Sequence, residues 1–325
     1  MRVVQTQQWV PLVAVKPLDG LLAYRAHCLA VSRASLRERR GLRRSPITGL
    51  PLERVGDIDG LPYGRCPASG GWFLMELPSP ERWARVLEEV NRFRRSPETF
   101  HAELAQSRAD AVYAPKLEWI GETLRLHGLA HPVMLEAMTA PSHFTTILRE
   151  SALCRDVVTA DEMALANGLP DARSGPMAQA AVLLESLDRV NDPAGLLRGV
   201  AGRLEESGLL FVTALVASGF DLSVLGLKNL YLYPPDRTNC FSLQGLSQLL
   251  ERSGFDLVEM STPGVLDIQI VRAHLARDQG VPLSAFERQL VEMDEEGQAA
   301  LQAFLQQRGL SSFARIVARR RVETA

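Results

Sequence analysis

The sequence predicts an α/β fold in which helices cover both faces of a mostly parallel sheet. From about residue 131, short apolar segments rich in Val, Leu and Ala alternate with amphipathic segments, as buried strands alternate with crossover helices. The chain has 325 residues, of which 46% are apolar, so it can bury a large core. Charged residues make up 23%, which is a proportion typical of folded domains.

Composition and charge exclude several classes of function. The 36 basic and 38 acidic residues give a net charge of −2, so no general basic field attracts nucleic acid or a membrane. No apolar run approaches the roughly 20 residues that span a bilayer. Residues 1–15 lack the pattern of a signal peptide, and the four cysteines lie far apart in sequence. We therefore expect a cytoplasmic protein with no nucleic-acid partner, no membrane span and no disulfide framework.

The first 80 residues are predicted to contain little regular structure. Pro11, Pro17 and Gly20 interrupt the apolar runs of residues 1–30, which leaves room for one or two strands. Six arginines in residues 33–44 indicate a solvated, partly helical surface, or alternatively a contact patch for an anionic partner. Residues 45–80 are rich in Pro and Gly, as in a small module built from tight turns.

Two amphipathic helices are predicted next. Residues 80–95 have helical apolar spacing, with Ser79 as N-cap and Pro80 in the first turn. Residues 113–129 form the second helix, which Gly128 closes.

The second half predicts strands and helices in alternation. We expect strands at 132–137, 156–160, 177–184, 209–214, 256–261 and 313–317. We expect helices at 144–150, 193–206, 242–253 and 283–308. Ligands of such sheets bind beyond the carboxyl ends of the strands, so candidate site residues are sought there.

Four stretches carry motifs of one known family. Residues 183–214 contain a strand, a helix that begins with Asp-Pro, and a Gly-Leu-Leu turn; residues 231–264 contain Tyr-Pro-Pro and a Phe-Ser helix cap. Residues 311–320 match a closing strand, and residues 65–81 match the second half of a zinc ribbon. The chain resembles class I S-adenosylmethionine-dependent methyltransferases that modify sugars and surface polysaccharides. This resemblance implies a Rossmann-like, seven-stranded methyltransferase sheet, preceded by a small ribbon module.

The resemblance also implies a division of the chain into five parts. The parts are an N-terminal extension (1–44), a degenerate zinc-ribbon-like module (45–80), a helical linker (81–130), a methyltransferase-like core (131–265), and C-terminal helices with the last strand (266–325).

The expected cofactor loop departs from the family pattern. Glu136 stands for the acidic residue at the end of the first strand, but residues 137–141 contain no glycine where the family has Gly-x-Gly. Glycines there let the backbone approach the methionine and adenosine groups closely. Pro141 also lacks a backbone donor. The resemblance therefore predicts either a filled, inactive cleft or a rearranged loop, with Ala137 and Met138, that still binds S-adenosylmethionine.

Other cofactor contacts are expected at the ends of the next strands. Asp161 or Glu162 stands where the family places the carboxylate that binds the ribose hydroxyls, although either side chain could instead cap a helix or lie on the surface. Leu184 and Glu185, at the end of the strand 177–184, complete the expected cofactor set.

Arginine replaces histidine at two positions where the family commonly carries Glu-His. These positions read Asp188-Arg189 and Asp236-Arg237. A histidine could act as general base on a hydroxyl, whereas arginine cannot release its proton near neutral pH. The arginines could bind a phosphate or carboxylate, or pair with a neighbouring Asp at the rim. The predicted anion or substrate contacts are His143, Arg189, Tyr233, Asp236 and Arg237.

The ribbon module is not expected to hold zinc or any other metal. Its knuckles read Ser-Pro-Ile-Thr at 45–48 and Cys-Pro-Ala-Ser at 66–69, so Cys66 is the one thiolate available. Structural zinc needs four ligands, usually Cys or His. Packing of Trp72, Phe73 and Leu74 is expected to preserve the knuckle fold without metal.

Three functions remain open from the sequence. The first is a methyltransferase-like pseudoenzyme, which serves as a non-catalytic binding or scaffold subunit in sugar or polysaccharide modification, with a partner protein or a second copy. The second is an active S-adenosylmethionine-dependent methyltransferase with a divergent loop. The third is a protein that binds an anionic, nucleotide-sugar-like ligand in the same cleft.

Overall fold

The computed structural model describes residues 10–36, 43–140, 142–170, 174–278 and 280–322. The strands are β1 (Glu53–Ile58), β2 (Leu61–Arg65), β3 (Trp72–Leu74), β4 (Val133–Ala137), β5 (Asp156–Ala160), β6 (Ala178–Leu184), β7 (Leu204–Leu215), β8 (Asn239–Cys240), β9 (Phe255–Ser261) and β10 (Phe313–Arg320).

The helices are α1 (Leu12–Val15), α2 (Leu18–Ser35), α3 (Pro80–Arg94), α4 (Phe100–Glu103), α5 (Ala105–Arg108), α6 (Ala114–Leu126), α7 (His143–Glu150), α8 (Glu162–Ala166), α9 (Ser186–Arg189), α10 (Pro193–Ala201), α11 (Phe220–Leu225), α12 (Leu243–Arg252), α13 (Asp267–Arg277), α14 (Ala285–Val291) and α15 (Glu295–Gln307). A π-helical turn, Ala109–Tyr113, joins α5 to α6. Among the described helices, none is both long and apolar enough to cross a membrane.

The larger sheet confirms the predicted α/β class. Its strand order is β5-β4-β6-β7-β10-β9, in which β5, β4, β6 and β7 are parallel and β10 is antiparallel to both of its neighbours. Successive residues of β4 face opposite sides: Met134 packs with α6 and α7, whereas Leu135 packs in the cluster that includes α10 and α12. Helices therefore cover both faces, as expected.

The expected seventh strand is absent from the described part of the chain. Strand β5 ends at residue 160 and β6 begins at residue 178, which leaves 17 residues for the connection. These include the five residues of α8. The larger sheet has six strands in the described residues, so the seven-strand prediction is not confirmed there.

The smaller sheet contains residues from two distant parts of the chain. Strands β1, β2 and β3 form an antiparallel meander, and β8 pairs with β3 from the segment between α11 and α12. Phe73 and Leu74 are fully buried. The large-sheet part of the chain therefore supplies the fourth strand of the module at 45–80.

The two predicted knuckles lie against each other. The hydroxyl of Thr48 lies 3.4 Å from the thiol sulfur of Cys66, and Ser45 and Ser69 are buried beside them. No cluster of three or more His, Cys, Asp or Glu side chains that could hold a metal occurs in the described residues. The expectation of a zinc-free module stays a prediction.

The N-terminal region differs from its prediction. Residues 12–15 and 18–35 form helices α1 and α2 rather than strands. Pro11 and Pro17 occupy the N-cap positions with φ near −63°, so each proline begins a helix instead of interrupting a strand. Residues 1–9 of this prediction, and residues 37–42 of the Arg-rich segment, lie outside the described residues.

Two helix ends also differ from the prediction. The helix that begins at Pro193 ends at Ala201 rather than at 206, because β7 already begins at Leu204 and pairs with β6. The predicted helix 283–308 is divided into α14 and α15, where Asp294 caps α15 by accepting a hydrogen bond from the Gly297 amide. The predicted caps Ser79 and Ser242 are confirmed.

Candidate functional site

A cavity of about 520 Å³ lies at the carboxyl ends of β4, β6 and β7. Residues of α1 and of the segment from α4 to α6 also line it. Ten of the twelve residues singled out in the sequence line this cavity: Glu136, Ala137, Met138, His143, Leu184, Glu185, Arg189, Tyr233, Asp236 and Arg237. The other two, Asp161 and Glu162, do not line it.

Glu136 lies near the carboxyl end of β4, which is a central strand of the sheet. Glu136 is only 2% exposed, and one of its carboxylate oxygens has no hydrogen-bond partner among the described residues. Burial raises the pKa of Glu136 to about 7, although the nearby Thr145 hydroxyl opposes the shift. A carboxyl group with this pKa can be neutral or charged near neutral pH.

The loop after β4 is attached to its neighbours through Met138. Its amide donates to the carbonyl of Ala160 over 2.9 Å, and its sulfur accepts a hydrogen bond from the Thr145 hydroxyl over 3.3 Å. Ser142 caps α7 in a capping box with Thr145. Pro141 lies outside the described residues. The described part of the loop is therefore held by β5 on one side and by α7 on the other.

The two acids after β5 have different surroundings. Asp161 is the N-cap of α8, because its carboxylate accepts a hydrogen bond of 2.7 Å from the Ala164 amide. Glu162 is fully buried, and one of its oxygens lies 2.6 Å from the Thr139 hydroxyl and 3.5 Å from Nε of Arg189. Glu162 thus connects the chain segments that follow β4 and β6.

Arg189 is bound within the protein on several sides. Besides Glu162, its guanidinium donates to the Leu184 carbonyl over 2.9 Å. Its own carbonyl accepts a hydrogen bond from the Trp83 indole over 2.8 Å. Arg189 therefore pairs with Glu162, rather than with the adjacent Asp188.

The second arginine, Arg237, also binds carboxylates. Its guanidinium lies 2.6 Å from Glu185 and 3.3 Å from Asp188. Asp236 pairs instead with Arg94 on α3, over 2.6 Å. Both arginines thus form ion pairs, as one alternative from the sequence expected. Their closest carboxylates, however, belong to Glu162 and Glu185 rather than to the adjacent aspartates.

Glu185 is the carboxylate on which several basic groups converge. It follows β6 in a left-handed conformation, with φ of +62°, which residues other than glycine adopt infrequently. Burial alone would raise its pKa, but Arg237, Lys116 and Lys16 hold the pKa of Glu185 well below its usual value. Such a conformation is often found at functional sites.

Several residues in the wall of the cavity were not singled out in the sequence. Lys16 lies 4.2 Å from the centre of the Tyr231 ring, and Lys116 lies 5.3 Å from the centre of the Phe313 ring. Burial lowers the pKa of both lysines to about 8. One signal could have found them: the chain has only three lysines, and these two line the cavity.

No family model and no curated protein matches this sequence. Solved structures that resemble the chain include 1,6-didemethyltoxoflavin-N1-methyltransferase of Burkholderia thailandensis, with bound S-adenosylhomocysteine, at 12% identity and a TM-score of 0.42 over 83% of this chain and 100% of that one. They also include a SAM-dependent methyltransferase of Thermotoga maritima, at 15% identity and a TM-score of 0.38 over 73% of this chain and 97% of that one. The YcgJ protein of Bacillus subtilis matches at 13% identity and a TM-score of 0.37 over 64% of this chain and 99% of that one. With TM-scores below 0.5, these likenesses assign no activity, ligand or family to this chain.

Proposed function

We propose that this chain is a methyltransferase-like pseudoenzyme, which binds a ligand in its cavity and does not transfer methyl groups. The observation that carries the proposal is the bridge formed by Thr139, Glu162 and Arg189. These residues follow β4, β5 and β6 respectively, so the chain's own side chains connect the three strand ends. In the family that the sequence resembles, the carboxylate at this place binds the cofactor ribose; here Glu162 is fully buried, does not line the cavity, and contacts Thr139 and Arg189 instead.

The residues present do not fit S-adenosylmethionine. The described loop after β4 has Cβ atoms at Met138 and Ala140, where a close approach of the cofactor to the backbone needs glycine. The sulfonium of the cofactor is positively charged, and Lys16 and Lys116 already bring positive charge to the cavity. Both features oppose binding of this cofactor.

The arginines also remove the general bases that the resemblance would supply. Arg189 and Arg237 occupy the two positions where the family commonly has histidine, and both lie in ion pairs with buried or partly buried carboxylates. Neither guanidinium can accept a proton from a hydroxyl near neutral pH. The cavity therefore favours binding over base-catalysed transfer.

The biological setting of this proposal comes from the sequence. The resemblance supplies a place in sugar or polysaccharide modification, together with a partner protein or a second copy of the chain. The cytoplasmic location is expected from the sequence pattern of residues 1–15 and the lack of a long apolar run. A non-catalytic subunit would act through such a partner.

One observation favours the active methyltransferase as a second candidate. Glu136 stands where the family carries its acidic residue, lines the cavity, and has one carboxylate oxygen without a hydrogen-bond partner among the described residues. That carboxylate could accept a hydrogen bond from the amino group of a bound cofactor.

Calorimetric titration with S-adenosylmethionine and with S-adenosylhomocysteine tests the proposal. We expect no saturable heat up to about 1 mM of either ligand, in protein whose far-UV circular dichroism shows that it is folded. A dissociation constant in the micromolar range would overturn the proposal. If that binding were lost in Glu136→Gln, the second candidate would replace it.

A further inference from the structure

We propose that the cavity binds a small organic anion, whose charged group is held by Lys16 and Lys116. The inference rests on the proposed function, because it takes the cavity to be a site for a ligand other than S-adenosylmethionine. It differs from the anion site suggested by the sequence, since Arg189 and Arg237 are already bound to carboxylates of the chain.

Basic groups outnumber acidic groups in this part of the cavity. The positive charges of Lys16, Lys116 and Arg237 all stabilise the negative charge of the Glu185 carboxylate. Arg108 adds a fourth positive charge, which repels the ammonium groups of both lysines.

The carboxylates nearby do not balance this charge. Asp188 is the second carboxylate bound to Arg237, so two carboxylates face four basic groups. Over the whole lining of the cavity, eight Lys and Arg side chains stand against five Asp and Glu side chains, so the surplus extends beyond this group. The surplus of positive charge favours an anion over a neutral or cationic ligand.

Both lysines have donor capacity left for a ligand. No carboxylate among the described residues forms an ion pair with Lys16, which instead lies over the Tyr231 ring. Lys116 lies 3.9 Å from one oxygen of Glu185, while Arg237 binds the other oxygen at 2.6 Å. An ammonium has three donors, and a buried charge without full pairing is costly. An anion between the lysines would supply the missing acceptors.

The walls of the cavity indicate that the anion carries an apolar body. The rings of Tyr113, Phe144, Tyr231, Tyr233 and Phe313 line it, together with Ile270. A volume of about 520 Å³ lies within the range of sites for small organic molecules. An aromatic phosphate or carboxylate therefore fits better than an inorganic ion.

Calorimetry with phenyl phosphate tests this inference, with phenol and benzylamine as neutral and cationic analogues. We expect saturable binding of phenyl phosphate only. Lys16→Met and Lys116→Met should each weaken it by about tenfold or more, because each removes a charge-assisted hydrogen bond. Lys228→Met is the matched control, since Lys228 is the third lysine of the chain and binds Asp278 and Gly280 outside the cavity. The affinity of Lys228→Met for phenyl phosphate should equal that of the wild type.

Two results would overturn the inference. One is the absence of phenyl phosphate binding at low salt, and the other is equal binding by the wild type and both cavity variants. If Lys116→Met fails to fold by circular dichroism, Lys16→Met carries the test. This result can be distinguished from that of the cofactor titration. Binding of S-adenosylmethionine would overturn the proposed function. If neither S-adenosylmethionine nor phenyl phosphate binds, only this inference is overturned.

Discussion

Lys116 is a charged residue that the fold buries almost completely. Its side chain is 5% exposed on α6 and lies close to the rings of Tyr113 and Phe313. Burial lowers its pKa from 10.5 to about 8, and the charge of Glu185 only partly opposes the shift. The charged form of Lys116 therefore destabilises the folded state relative to an exposed lysine.

Lys116→Met should stabilise the protein at pH 7, by up to about 3 kcal/mol from the shift in pKa. Between pH 8 and 10.5 the folded wild type binds fewer protons than the unfolded chain, so its stability rises with pH. The advantage of the variant should therefore shrink across this window. Urea unfolding at pH 7, 8, 9 and 10 measures it, with Lys228→Met as control. An advantage that does not change with pH would contradict the assigned pKa.

The sequence could predict site residues that follow strands, but not those that come from distant helices. Glu136 and Glu185 were found because the family resemblance places contacts at the carboxyl ends of parallel strands, which meet at one edge of the sheet. Lys16 directly follows α1 and Arg108 ends α5, and both line the cavity although they come from the N-terminal region and the predicted linker. Their positions depend on tertiary packing, which local sequence patterns do not encode.

At the scale of elements, the packing of α10 on α8 holds Glu162 in place. A Cβ at Gly195 would overlap the carbonyl oxygen of Ala166, and a Cβ at Gly199 would come within 2.7 Å of the carbonyl oxygen of Leu165. The two glycines therefore let α10 approach the backbone of α8 directly. Since α8 begins with Glu162, this contact positions the bridge between the strand ends.

Gly195→Ala should lower the free energy of unfolding by about 2 kcal/mol, because the added methyl forces α10 away from α8. Gly202→Ala is the matched control at the end of the same helix, where the nearest atom would lie 3.5 Å from the new Cβ. Its effect should stay within about 0.5 kcal/mol. Urea unfolding compares the two variants, and equal losses would show that the close approach does not limit packing.

The N-terminal helices show why a local pattern can mislead about an element. Pro11 and Pro17 were interpreted as interruptions between strands, but proline also fits the start of a helix, where its missing donor costs nothing. The strands β4 and β5 were predicted within a residue of their observed ends, because short apolar runs between turn residues have few alternatives.

At the scale of the whole molecule, the two sheets share one apolar cluster. Phe73 of β3 and Leu135 of β4 belong to the same set of contacting buried side chains. Phe73 packs edge-on against Phe241, with ring centres 5.6 Å apart. Tyr63 of β2 donates a hydrogen bond of 2.9 Å to the carbonyl of Arg237. The small sheet is therefore continuous with the wall of the cavity.

This continuity predicts that the two sheets unfold together. Phe73→Ala should remove about 3 kcal/mol or more of stability, and should shift the urea midpoint of far-UV circular dichroism, which reports mainly on the helices. Trp72 fluorescence, measured in a background that carries Phe at the other three tryptophan positions of the chain, should move with it, because Trp72 lies beside the substituted residue in β3.

Phe286→Ala provides the control for this prediction, because Phe286 is 68% exposed on α14 and its loss should leave both midpoints unchanged. If the small sheet unfolded independently, Phe73→Ala would shift only the fluorescence transition. A common shift of both signals is what one shared apolar cluster requires, since a cavity opened at Phe73 then destabilises every element that packs on it.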